Sequence, residues 1–379
     1  MRFSIVTAFP EFFRDFLAAS VVGRAIKAGL FEVETVDLRA FGKGGYRQID
    51  DYAFGSGGMV LMAEPLTAAL DFARSKGKAE PFVVYPSPQG VPLTQELVET
   101  LVRQEHVVIV CGHYEGVDER FVERCVDAEV SVGDCVLTGG EIPAMALVDA
   151  VSRLIPGVVG RASSVTEDSF YRGMLDHPHY TRPASWKETE VPEVLLSGNA
   201  SEIEGWRRAE AVRRTLSRRP DLLSRCGLGG YTRGGVYPAL VCTPEDAGRV
   251  VEWAELCGSY GTARLLLSVS GDRETFGRND KVKLFSSFAE SLRWAEEKEK
   301  KKAGRVLRLG VSDREHGGAR HWLELKRLIL EEACAAVFYF GDDEENLALC
   351  DLRMIPLQGG RLPLTGKIAA VLDRFLGMK

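Results

Sequence analysis

The sequence predicts an α/β protein with a mainly parallel sheet, followed by a second α/β unit, and three observations carry that reading. Short apolar runs alternate with amphipathic runs from the first residues onward, the pattern of βαβ units. Two of these runs, Val107 to Val110 and Glu129 to Val132, pass straight into glycine-rich turns at Gly112 and at Gly133, Gly139 and Gly140. The alternation then restarts after a glycine-rich break, CGLGGYTRGG, at Cys226 to Gly235. A chain of 379 residues exceeds one domain of roughly 100 to 200 residues, so two or three domains are expected.

Element by element, FSIVTAF reads as a strand, Glu11 to Ala28 as a helix and FEVETVDL as a strand, before a polar glycine-rich loop. Pro65 to Lys76 reads as a helix, PFVVYPS as a strand and Thr94 to Gln104 as a helix; the two strands already named follow, then a helix-compatible run from Ile142. Ligands of parallel α/β sheets bind at the carboxyl ends of the strands. The turns after Tyr85, Val110 and Val132 are therefore expected on one edge. Glycine permits close backbone approach and left-handed dihedrals, so this edge should present amide and carbonyl groups to a planar, polar ligand.

Gly160 to Gly198 has little apolar period and contains Pro178, Pro183 and Pro192, which reads as a long functional or linking loop. Ala200 to Leu223 reads as a helix; Arg207, Arg214 and Arg218, at i, i+7 and i+11, share one face. That stripe is either solvated or a phosphate contact. In the second unit YPALVC, RLLLSVS, RVLRLGVS, AVFYFG and MIPLQ read as strands. Pro244 to Cys257, a run around Phe285 to Lys302, Arg320 to Ala335 and Gly366 to Leu376 read as helices, and EEKEKKKAG from Glu296 as a solvated helix end.

A composition of 45% hydrophobic and 27% charged residues is ordinary for a globular protein. The net charge of −6 means that any nucleic-acid contact must rely on a local patch. MRFSIVTAFPEFF lacks a basic leader, and no stretch reaches about 18 consecutive apolar residues. A cytoplasmic protein without membrane association is expected. The eight cysteines show no CxxC pair and no Cys/His cluster at zinc spacing, so reduced, mostly buried thiols and no metal site are expected.

FPEFF, RQIDDYAFGSGGMVL, YPSPQG, CGHYEGVDER, SVGDCVLTGGEIPA, VSRLIPGVVG, TEDSF, DHPHYTRP and VPEVLLSGN occur in that order. On these motifs, residues 1 to about 225 resemble the bacterial tRNA (guanine-N1)-methyltransferases of the SPOUT class. The resemblance implies a deep trefoil knot in a mainly parallel sheet, a small helical domain and a homodimer with its active sites at the subunit interface. It divides the chain into a knotted domain binding S-adenosyl-L-methionine (1–160), an active-site loop (161–198), a helical tRNA-binding segment (199–228) and a C-terminal α/β domain (236–379). This last domain resembles an appended SPOUT-like RNA methyltransferase module. Gly341, Ile355, Pro356, Leu357 and Leu364 would line a second cofactor pocket in it, unless it is a ligand-free docking module.

The resemblance implies that S-adenosylmethionine touches Tyr85, Ser87, Gly112, Val132, Gly133, Asp134, Cys135, Val136, Leu137, Gly139 and Gly140. The acceptor would be N1 of the guanine just 3′ of the anticodon, tRNA position 37. That nitrogen carries a proton and its lone pair is delocalised, so a base must take the proton. Matching puts Asp168 of TEDSF in this role, delivered by the other subunit. A free aspartate, with a pKa of about 3.9, is a weak base, so charge developing on guanine O6 needs stabilising; Arg153 matches the residue that does so. Glu115 would contact the guanine or the methionine part of the cofactor. Asp50, Asp51, Asp118 and His179, with Arg207, Arg214 and Arg218, would contact tRNA. The Asp50–Met59 loop is one residue shorter than is common in the family, which bears on Asp50 and Asp51. Magnesium is an optional assistant that no ligand cluster demands.

Two other readings compete. A nicotinamide-dependent oxidoreductase would explain the α/β alternation, but there is no GxGxxG directly after the first strand with an acid about 20 residues on. A non-catalytic RNA-binding tandem SPOUT scaffold would explain the arginine helix and leave Asp168, Arg153 and Glu115 without a role.

Overall fold

The computed structural model describes the chain except residues 56, 161–167, 172, 315–317, 333, 357–361 and 378–379. Two compact units divide it, Met1–Thr166 and Glu167–Lys379.

The first unit is a five-stranded parallel sheet. Its strands are β1 (Arg2–Thr7), β2 (Glu32–Asp37), β5 (Phe82–Pro92), β6 (His106–Val110) and β7 (Ala128–Ser131), in the order β2-β1-β6-β5-β7. Successive side chains of a strand point to opposite faces, and here both faces are covered. Phe3, Ile5, Val107 and Ile109 pack into one core, while Val6, Val108 and Val110 pack into another. This is why β6 is buried throughout and reads as an unbroken apolar run. The second core also takes in Leu66, Ala69, Leu70 and Ala73 of the helix Ala63–Lys76.

Three expectations change here. The run Glu11 to Ala28 is not one helix: a 3-10 turn, Pro10–Phe13, leads into helices Arg14–Ala18 and Ser20–Lys27. Ala19 is extended (φ −96°, ψ 157°) and breaks the run, and Gly23 lies against the Ala18 backbone with no room for a side chain. The polar glycine-rich loop contains an antiparallel hairpin, β3 (Asp50–Tyr52) with β4 (Met59–Leu61). The PFVVYPS strand runs on to Pro92 through an irregularity between Pro86 and Val91, so that both halves of β5 pair with β7.

The second unit opens with a short antiparallel pair, β8 (Ser185–Trp186) and β9 (Thr189–Glu190). The helix Ala200–Arg218 follows, capped by the Asn199 side chain and ending before Pro220, which cannot continue the helical bonding. The expected end at Leu223 is instead a 3-10 turn, Pro220–Ser224. Six parallel strands then form the order β12-β11-β10-β14-β13-β15: β10 (Val236–Cys242), β11 (Leu265–Val269), β12 (Val282–Phe285), β13 (Val306–Val311), β14 (Ala335–Phe340) and β15 (Leu352–Met354). The sequence reading missed β12, a four-residue edge strand interrupted by Lys283. Pro244 to Cys257 divides into a 3-10 turn, Pro244–Arg249, and the helix Val250–Ser259.

With β12 set aside, β11-β10-β14-β13-β15 repeats β2-β1-β6-β5-β7 strand for strand, all parallel. One face of this second sheet packs on Ile368, Val371, Leu372 and Phe375 of the helix Leu364–Leu376. The same core holds Met174, Val212, Leu223, Cys226 and Leu228. Residues 199–228 thus share their interior with residues 236–379. Lys326 joins them: fully buried, its ammonium donates to the carbonyls of Cys226 and of Arg374, the latter at 2.6 Å, and the Leu228 amide donates to Phe375 O at 2.7 Å. A buried ammonium is tolerable only when such acceptors replace water.

Candidate active site

The carboxyl ends of β5, β6 and β7 open onto one cavity of about 280 Å³. This is just below the roughly 300–1,000 Å³ usual for small-molecule sites. Tyr85, Ser87, Gly112, Val132, Gly133, Cys135, Val136, Leu137, Gly139 and Gly140 all line it, as does Glu115. Asp134 is exposed and is not among the lining residues, whereas Gln89, His113, Thr138 and Pro143 are.

Two glycines are required by packing. A Cβ on Gly112 would sit 2.9 Å from the Tyr85 ring, and one on Gly140 would sit 2.7 Å from Cys111 Cα. The segment leading out of β7 therefore crosses the turn after β6 backbone to backbone, and the Gly140 amide donates to Gly112 O at 2.9 Å. Gly133 has a φ of 151°, open only to glycine, and its amide donates to Ser131 Oγ at 3.2 Å.

Behind the cavity lies a chain of polar contacts. Glu141, buried at the start of the helix Glu141–Ser152, accepts from Thr7 Oγ1 at 2.7 Å and meets His113 Nε2 at 2.8 Å. The carboxylate at a helix N-terminus is also favoured by the helix dipole. His113 stacks at 4.8 Å against Phe9 and bridges to Gly139. This chain locks the turn after β6 to the helix after β7. Sequence reasoning gave Thr7 and Glu141 no role, and the only local signal was an acidic residue directly after the Gly-Gly pair. Burial pushes up the Tyr85 hydroxyl and the Cys111 thiol, so both stay protonated at neutral pH.

The β3–β4 hairpin is tied to this rim. Glu115 N donates to Met59 O at 3.0 Å, Leu61 N to Gly116 O at 3.0 Å and Asp118 N to Leu61 O at 3.0 Å. A hydrogen bond to Asp50 raises the Tyr114 hydroxyl pKa, which joins the hairpin to the turn through side chains as well. Asp50, Tyr114 and Glu115 thus meet at one edge. Asp51 is exposed and accepts from the Tyr52 amide at 2.8 Å. Asp118 caps the helix Glu119–Cys125 and pairs with Arg120 at 2.6 Å; that hydrogen bond holds its carboxyl below the usual range.

Arg153 is exposed at the C-terminal cap of the helix Glu141–Ser152, in the first unit. Asp168 belongs to the second unit and is half-buried, while Thr166 and Glu167 of TEDSF lie outside the described residues. The chain just after Asp168 is pinned down. The Asp176 amide donates to Ser169 Oγ at 2.9 Å, Phe170 N to Met174 O at 2.7 Å, and Leu175 N to Thr215 Oγ1 of the helix Ala200–Arg218 at 2.9 Å. Met174 is 2% exposed and anchors the segment in the core.

His179 joins a cluster the sequence reading did not assemble. Asp176 meets His177 Nδ1 at 2.6 Å through one carboxylate oxygen and His179 Nε2 at 2.8 Å through the other. Burial raises the Asp176 pKa, but the His179 and His177 hydrogen bonds outweigh it and leave the carboxyl low; burial lowers the His177 imidazole. The ligand-capable atoms of all three lie within 4.8 Å of one another, with each oxygen of the Asp176 carboxylate facing one imidazole. On the arginine helix, Arg207 and Arg218 are exposed, whereas Arg214 is half-buried with its Nε lacking a hydrogen-bond partner. All eight cysteines are free thiols; Cys135, in the cavity, is exposed.

The family model described as tRNA (Guanine-1)-methyltransferase TrmD matches residues 1–225. The chain belongs to this tRNA (guanine-1)-methyltransferase family. Among curated proteins, the tRNA (guanine-N(1)-)-methyltransferase of Moorella thermoacetica is 51% identical over 235 residues, 62% of this chain and 94% of its own length. Those of Ruminiclostridium cellulolyticum and Burkholderia mallei are 47% identical over 226 residues and 49% over 230, each covering 59% of this chain and 97% or 87% of their own length. The cavity at the ends of β5, β6 and β7 lies within the matched region, and the whole six-stranded second sheet, from Val236 to Met354, lies beyond it. No helix among the described residues is long and apolar enough to cross a membrane.

Proposed function

We propose that this methyltransferase transfers a methyl group from S-adenosyl-L-methionine to N1 of guanine 37 of tRNA. Membership of the family over residues 1–225, with ten of the eleven expected cofactor residues lining one cavity, is the observation that carries this reading. The cavity fits the cofactor in kind. Backbone brought close by Gly112 and Gly140 offers amide and carbonyl groups to an adenine, and Tyr85, Val132, Val136, Leu137 and Pro143 supply apolar wall. When bound, the cofactor supplies an electrophilic methyl group on a sulfonium.

The remaining chemistry falls to side chains. Asp168 accepts the N1 proton as the nitrogen lone pair is committed to the new bond. Arg153 holds the charge that develops on guanine O6, and Glu115 orients the base or the methionine end of the cofactor. Asp50 sits beside Glu115 at the rim, which supports a substrate-facing role; the capping and ion-pairing of Asp118 favour a structural one. Arg207 and Arg218 are exposed and fit phosphate contact, and His179, also exposed, would face the substrate. In this reading the enzyme is a cytoplasmic homodimer, and Asp168 reaches the cradle of the partner subunit. The close crossing of Gly140 over Cys111 and Gly112 supports a trefoil knot at the cradle. The functional division is 1–160 for the cofactor, 161–198 for the active-site loop, 199–228 for tRNA and 236–379 for the added domain. Magnesium remains outside the proposed steps.

The test is methyl transfer from labelled S-adenosylmethionine to an unmodified tRNA transcript with guanine 37, the product identified by mass spectrometry as N1-methylguanosine. Asp168→Ala should lower the rate about 10²–10⁴-fold with cofactor affinity retained. Full activity in that variant would remove Asp168 as the base. Tight tRNA binding by the wild type without any transfer would favour the scaffold reading.

A further inference from the structure

The second unit contains a groove of about 760 Å³ that the proposed chemistry does not use. Its floor is apolar, made of Val212 and Leu216 from the helix Ala200–Arg218, Tyr231, and Leu330 from the helix Trp322–Glu332. Its rim is cationic: Arg208, Arg213, Arg233, Lys302 and Arg327, with Glu331 as the one carboxylate among the described lining residues. Three of the cations are held by neighbouring acids, Arg208 by Glu204 at 3.2 Å, Arg213 by Glu210 at 2.6 Å and Arg327 by Glu331 at 2.8 Å. Arg233 and Lys302 are exposed, and among the described residues neither has a carboxylate within ion-pair distance. Five cations against three carboxylates leave the rim positive on a chain whose net charge is −6.

The spacing of the charges identifies the kind of ligand. A site for one small anion gathers its donors on a point, whereas here they are strung along two helices and two loops, the pattern that follows a backbone of repeated phosphates. The origin of the residues adds to this. Arg208 and Arg213 lie within the family region, whereas Tyr231, Arg233, Lys302 and Arg327 lie beyond residue 225. Lys302 comes from the lysine run that sequence alone reads as a solvated helix end.

We propose that this groove binds the phosphodiester backbone of tRNA away from the methylated base, so that the added C-terminal domain enlarges the tRNA footprint of the enzyme. The inference rests on the reading of tRNA as substrate. Contacts of these cations to phosphate position the RNA without reading its sequence.

The double variant Arg233→Glu/Lys302→Glu of the full chain tests it by anisotropy titration with a full-length tRNA transcript and with an isolated anticodon stem-loop, each across a salt series. Full-length tRNA should bind about tenfold or more weaker, with the slope of log affinity against log salt shallower by about one to two. The stem-loop should bind as to wild type. Unchanged thermal stability and cofactor affinity, and wild-type behaviour of the charge-keeping Arg233→Lys/Lys302→Arg, exclude misfolding as the cause. Unchanged affinity and slope for full-length tRNA would overturn the proposal. Equal losses on both RNAs would overturn it too, by placing these charges at the anticodon. If wild type methylates no tRNA and yet the double variant still loses full-length RNA selectively, the groove stands and the methylation reading fails.

Discussion

The two parallel sheets share a strand order and differ at the edge where such folds bind ligands. At the ends of β5, β6 and β7 the first sheet is built from glycines, and His113, which lines the cavity, hydrogen-bonds to the buried Glu141. At the matching ends of β13 and β14 the second sheet carries Ser312, Asp313 and Asp342, and Lys367 from the first turn of the helix Leu364–Leu376 reaches into them. Lys367 Nζ lies 2.5 Å from Asp313 and 3.8 Å from Asp342, and Ser312 Oγ donates to Asp342 at 2.7 Å. The polarity is reversed: the helix after β7 begins with a buried glutamate, whereas the helix after β15 has no acid in its first turn and a lysine instead. A cation at a helix N-terminus opposes the dipole, so the two carboxylates are what make Lys367 tolerable. Of the residues expected to line a second cofactor pocket, Leu357 lies outside the described residues. The ion pair lies beside Gly341, where the first sheet has the open backbone of Gly112. The same topology thus supports an open cradle in one unit and a cross-linked edge in the other.

Breaking the cross-link should have the largest effect. Lys367→Met leaves the Asp313 carboxylate, already with one oxygen unpartnered, buried without its ion pair. The second unit should lose about 3–5 kcal/mol of stability. All five tryptophans lie beyond residue 166, so denaturant unfolding followed by tryptophan fluorescence reports this unit, while cofactor titration reports the first. A loss below about 1 kcal/mol would show the pair to be a surface ornament.

Blocking the open cradle comes next. Gly140→Val drives side-chain atoms into the Cys111–Gly112 backbone and should weaken cofactor binding at least tenfold, about 1.4 kcal/mol, with the tryptophan-reported transition unmoved. Wild-type affinity in this variant would mean that the crossing does not shape the cradle.

The smallest effect concerns the segment that carries Asp168. Burial depresses the His177 imidazole below its ordinary value of 6.5, so the unfolded chain takes up that proton first and stability falls as pH drops below about 6.5. The Asp176 carboxyl is also depressed from 3.8, so its contribution is present above that pH and is lost as pH falls through the folded value. Both signs agree: acid should loosen residues 168–179 before the sheets. Hydrogen exchange at a series of pH values checks this, and protection of the Leu175 amide that stays constant down to pH 5 would contradict the His177 part.

Much of the first unit was legible because its signals are local. The apolar runs of β1 and β6 are short and bounded, and the glycines of the cradle follow them directly. The same locality explains the errors: a helical period over Glu11 to Ala28 does not reveal the extended Ala19, and a four-residue edge strand with a lysine in it resembles loop. Motif order singled out ten residues that line one cavity and an eleventh, Asp134, that does not.

Sequence by itself determined where the long buried strands run and to which family residues 1–225 belong, since period and motif order are written along the chain, while the short strands β3, β4, β8, β9 and β12 escaped it. Only the tertiary structure decided what those segments do to one another. Thr7 reaches Glu141 across 134 positions, and Lys326 reaches the Cys226 carbonyl across 100. Such contacts depend on strand order and on which face of a helix is buried. Local propensity carries no record of either, because their energy arises only when distant groups lose water together.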